Sequence, residues 1–170
     1  MDAVYFHFAM NHFPVIASIF GLVILGYGVL RRNDPLTSTG LLIMVVTALV
    51  AIPVYLTGEP AEEGVEGLPG VIETLIESHE DFAMFALISA IVSGAVSLVA
   101  LLFSRARFES TVGRILVWAS LGLAVVTLGT MGWTAKLGGV IRHTEIRAAA
   151  DQASPAAAET RRKDDHDDDH

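Results

Sequence analysis

Four stretches of this chain contain no Asp, Glu, Lys or Arg: Phe13–Leu30, Leu36–Leu56, Phe82–Phe103 and Ile115–Ala135. A helix rises ~1.5 Å per residue, so about 20 apolar residues cover the hydrocarbon core of a bilayer. Backbone N–H and C=O groups in lipid must find partners within their own segment, and runs of this length therefore predict helices. The expected fold is all-α, an integral membrane up-down-up-down four-helix bundle. Its spans are expected at about 13–31, 36–57, 82–104 and 115–137, within a membrane domain over 1–147.

Composition narrows the functions available. Charged residues make up 18% of the chain, against about 25% in ordinary soluble domains, and mean hydropathy is +0.54. There is no cysteine, which excludes disulfides, thiolate metal sites and thiolate-ligated haem. The net charge of −8 reflects an acidic 58–81 connection and the terminal "DDHDDDH". Basic residues occur in small groups beside the apolar runs, which gives nucleic-acid binding no support; the bilayer is the expected partner. No hydrolase constellation, P-loop, dinucleotide fingerprint or H-E-x-x-H is visible, so nothing in the chain points to catalysis.

The connections order the four segments. "MDAVYFHFAMNHFP" has no basic n-region, so the first helix is expected to be retained, starting near Asn11–Pro14 with Pro14 in its first turn. The short "RRNDP" joins the first two helices into a hairpin, with Asp34–Pro35 as cap and first-turn proline. Pro53 is expected to bend the second helix, and "TGEPAEEGVEGLPG" reads as a solvent-exposed loop. Val71, Ile72, Leu75, Ile76 and His79 recur at helical spacing and lead into the third helix, and Ser110 is placed to cap the fourth. Trp118 and Trp133 lie 15 residues apart, roughly 22 Å along a helix, which suits one indole at each interface. Residues 148–170 lack periodicity and read as a disordered acidic, His-bearing tail.

Arg31, Arg32, Arg105, Arg107 and Arg114 lie in the two short connections, while the N-terminus and the 58–78 connection have no Lys or Arg. The positive-inside rule then places both termini outside. One end of the bundle gathers the chemistry: His7 and His12, then Glu59, Glu62 and Glu63, then Glu77, His79 and Glu80, then His143 and Glu145. Polar residues belong at helix ends, and for His7, Glu145 and the tail residues His166 and His170 that plain account takes precedence. His12, His79 and His143 stand apart because of their helix faces. His79 heads a stripe with Ala83, Ala86, Ala90, Ser93 and Ser97, and His143 one with Gly139, Lys136, Gly132, Gly129, Val125 and Gly122. Small residues in membrane helices mark close helix contact, which turns both histidines inward.

Two chemistries fit inward imidazoles on one face. Haem b is the first, held between His12 and His79 on diagonal helices. The second is a divalent metal such as zinc or copper, bound by His79 and His143 with Glu59 as an oxygen ligand. Counted from the arginine loops, His79 and His143 match in depth better than His12 and His79. A third reading makes the chain an accessory subunit of a larger membrane complex, or a homo-oligomer, with interfacial histidines.

The motifs "NHFPVIASIFGLVIL", "LTGEP", "ESHEDFAMFAL" and "GWTAKLGGVIRH" stand in order at the four helix ends. Across residues 10–145 the pattern resembles a family of small, uncharacterised bacterial four-helix membrane proteins. That family is marked by His-Phe-Pro at helix 1, Thr-Gly after helix 2, a histidine opening helix 3 and a Gly-rich exit from helix 4. Its layout is similar to that of membrane b-type cytochromes. The resemblance implies a cytoplasmic (inner) membrane location and haem ligation by His12, His79 or His143.

Overall fold

The first hairpin turns on three residues. Helix α2 (His12–Leu30) closes with Arg32 at φ 50°, the left-handed conformation that glycine usually supplies. Asn33 N then donates to Gly28 O at 2.8 Å and Arg32 N to Val29 O at 3.2 Å, the paired bonds of a Schellman ending. Asn33 also caps α3 (Asp34–Leu56), its Oδ1 accepting from Leu36 N at 3.0 Å. The cap is therefore Asn33, one residue earlier than the sequence expectation, because Asp34 is already helical.

The computed structural model describes residues 3–63, 72–107 and 110–142. Its elements in chain order are α1 (Ala3–Met10), α2, α3, α4 (Gly58–Glu63), α5 (Glu73–Arg107) and α6 (Thr111–Arg142), and the described residues contain no strand. Four helical stretches are long and apolar enough to cross a membrane: Ala3–Leu30, Asp34–Leu56, Glu73–Phe103 and Thr111–Ile141. The all-α four-helix architecture expected from the sequence is present. Helix α6 is capped as expected, with Gly113 N donating to Ser110 Oγ at 3.0 Å.

Two expectations at the helix ends change. The chain is already helical from Ala3, and α1 runs into α2 through Asn11, whose N–H still reaches His7 O at 2.8 Å. Pro14 has no N–H for Met10 O, so the element boundary falls here although the helical path continues. The "TGEPAEE" segment begins with the short helix α4 rather than a loop, and residues 64–71 lie outside the described set. Residues 143–170 are also outside it, and with them the disorder expected of the 148–170 tail.

Around the bundle the order is α2, α3, α5, α6, with α6 returning against α2, so α2 and α5 are diagonal. Glycines set the closest crossings. A Cβ on Gly40 would stand 2.5 Å from Leu25 N and Cα, one on Gly28 2.5 Å from Thr37 N, and one on Gly94 2.5 Å from Ala48 Cβ. The inward stripe of α5 is as expected, with Ala86, Ala90, Ser93 and Ser97 buried. The α6 stripe is not. Gly122, Val125, Gly129, Gly132 and Lys136 are exposed, and α6 instead buries Val117, Ser120, Ala124, Thr127 and Met131. Large apolar side chains such as Phe20, Leu30, Leu49, Phe85, Leu102 and Ile115 cover the outside. Such a surface suits lipid as its solvent.

Candidate functional site

The sequence-derived cluster lies at the end of the bundle where α1, α3, α4, α5 and α6 meet, and its members separate into three groups. His79 lies on α5, half-buried, with Nδ1 3.0 Å from the main-chain oxygen of Thr134 on α6. A carbonyl oxygen only accepts, so Nδ1 carries the proton in this bond, and in the neutral ring Nε2 keeps its lone pair. The ring also lies close against α6, where a Cβ at Gly138 would be 3.1 Å from its Cε1 and 3.4 Å from its Nδ1.

His7 makes the same arrangement on the other side. It is half-buried on α1, with Nδ1 2.9 Å from Val54 O and 3.4 Å from Thr57 Oγ1. Val54 O is among the last carbonyls of α3, which the helix ladder leaves unpaired, and Thr57 Oγ1 also donates to it at 3.0 Å. The His7 ring rests beside Gly58, 3.7 Å from where a Cβ there would stand. The charges of His7 and Glu80 both reach His79. Each imidazole thus ties its helix to the next: α1 to α3 and α5 to α6.

His12 is exposed at the start of α2, and Glu59 is exposed in the first turn of α4. Five residues separate His7 from His12, about 140° around a helix, so the two cannot share a face. His143 and Glu145 lie outside the described residues, as do His166 and His170. Among the described residues no group of three or more His, Cys, Asp or Glu side chains is gathered closely enough to hold a metal ion. Lys136, expected inward, is exposed with its Nζ 4.6 Å from the Trp133 ring centroid. Trp133 in turn stands 6.1 Å from Phe82, an aromatic edge beside the site.

No pattern in the sequence singles out His7, Thr134 or Gly138. The Gly-rich exit of the last helix pointed to the region, but a main-chain acceptor leaves no side-chain signature. His7 precedes the apolar run of its helix, and with that helix expected to start near Asn11 it had no face to be placed on.

Comparison with protein-family models, with curated protein sequences and with solved structures finds no match.

Proposed function

We propose that the protein carries a b-type haem at the outer face of a bacterial cytoplasmic membrane and serves in one-electron transfer, with both termini outside. His7 and His79 are the imidazoles offered to the iron, His7 taking the part first expected of His12. The observation that carries this reading is the matched pair of Nδ1–carbonyl bonds, at 2.9 Å to Val54 O and 3.0 Å to Thr134 O. Metal-ligating histidines characteristically spend one ring nitrogen on a backbone carbonyl or carboxylate, which fixes the tautomer and aims the other.

The number of donors favours haem over a bare ion. A structural zinc ion takes four protein ligands and a catalytic one three, and the described residues gather no such set. A porphyrin brings four nitrogens of its own, so one or two imidazoles complete the iron. The resemblance that the sequence motifs suggest to membrane b-type cytochromes implies the same choice, and the arginine-bearing hairpins support the orientation.

The test is the absorbance of protein purified after haem-replete expression and reduced with dithionite. A sharpened α band and an intense Soret band at stoichiometric haem are expected. Their absence from the wild-type protein contradicts the reading.

A further inference from the structure

Between the two ends the interior changes character. Near the arginine hairpins, Leu25, Leu41, Ala100 and Val117 form one apolar cluster, and near the histidine end Ala51, Ala86, Ala90 and Met131 form another. Between them are six hydroxyl side chains with no exposure at all: Ser18, Thr47, Ser93, Ser97, Ser120 and Thr127. The antiparallel register places them together. Gly94 meets Ala48, Gly21 meets Met44, and Ser89 pairs with Thr130. Ser93 and Ser97 therefore fall level with Thr47 and Met44 on α3 and with Ala124 and Ser120 on α6.

Four of the six hydroxyls have acceptors. Ser18 donates to Val15 O at 2.7 Å, Thr47 to Ile43 O at 2.8 Å and Ser120 to Leu116 O at 2.9 Å, each turning back on its own helix. Thr127 reaches across to Ser89 O at 3.2 Å. Ser93 Oγ and Ser97 Oγ have none, although both are buried. The carbonyl that Ser93 would use one turn back is Ser89 O, which already accepts from Thr127. A buried hydroxyl without a partner is costly, more so where lipid surrounds the bundle.

Residues four apart on a helix have Cβ atoms about 5–6 Å apart. A molecule hydrogen-bonded to two such hydroxyls at about 2.8 Å each spans that gap. We propose that Ser93 and Ser97 together bind one water molecule in the middle of the bundle, making the hydroxyl layer a hydrated polar station between two dry clusters. On α6 the side chains at this level, Ala124 and Ser120, are small, with Thr47 and Met44 at the same level of α3, and the hydroxyl oxygens of Thr47 and Ser120 retain acceptor capacity for the water's protons. This site owes nothing to the haem reading and stands or falls without it.

The test is water-edited solid-state NMR of the full chain in lipid bilayers with serine Cβ carbons labelled. Magnetisation from water is expected at Ser93 and Ser97, as at Ser78 near the helix end, and Ser97→Ala should remove it from Ser93. A wild-type protein showing transfer at Ser78 but at neither Ser93 nor Ser97 overturns the proposal. Transfer at Ser93 that survives unchanged in Ser97→Ala overturns the shared molecule.

Discussion

Two sets of glycines in this bundle look alike as sequence and differ entirely as structure. Gly28, Gly40 and Gly94 sit where a Cβ would stand 2.5 Å from an atom of another helix segment. Gly122, Gly129, Gly132 and Gly139 on α6 would meet nothing within 4 Å. The first set lets backbones approach; the second leaves a smooth outer stripe. Spacing does not separate them, because α6 carries a second inward set of small residues, Ser120, Ala124 and Thr127, on its opposite face. What decides between the faces is what a side chain gains by burial. Ala and hydroxyl side chains bring packing atoms and, at Thr127, a bond across to α5. A glycine brings no side chain and is useful inside only where a neighbour comes very close.

Substitutions put this contrast under load. The largest effect is expected for Gly40→Ala. Its new Cβ meets the main chain of Leu25, which cannot rotate away as a side chain would, so α2 and α3 must separate. Overpacking of this kind costs about 1–3 kcal/mol, readable as a shifted unfolding midpoint in mixed detergent micelles. An unshifted midpoint would mean that the hairpin crossing is looser than described.

A smaller loss is expected from Thr130→Val, which removes the 2.8 Å bond to Ser89 Oγ between α5 and α6. Interhelical hydrogen bonds in membrane proteins average about 0.6 kcal/mol, so the midpoint should move less than for Gly40→Ala. Gly129→Ala comes last. With open space around it, the variant should be neutral or more stable by up to about 1 kcal/mol, the usual advantage of Ala over Gly inside a helix. Destabilisation, or a change in oligomeric state on gel filtration, would show that another helix covers this face.

Much of the fold was legible in advance because lipid allows so few solutions. The absence of charge over four runs set the number of helices, and the short "RRNDP" turn made the first two antiparallel. The inward stripe of α5 is legible in the sequence, since Ala86, Ala90, Ser93 and Ser97 recur at helical spacing as one small face. Faces were harder where two stripes competed, as on α6, and where helical chain continued past a proline, as before Pro14. The candidate site was half legible. His79 was visible through its stripe, but its anchor is the Thr134 carbonyl and its platform is Gly138. His7 became placeable only once α1 extended the first helix to Ala3.

We propose that His7 and His79, rather than His12, present the ligating imidazoles. Electron paramagnetic resonance of the oxidised, haem-loaded protein tests it most directly. Six-coordinate low-spin iron is expected in the wild type and in His12→Ala, with conversion to high-spin iron in His7→Ala and in His79→Ala. Low-spin iron persisting in both of those variants, or lost in His12→Ala, would contradict the assignment.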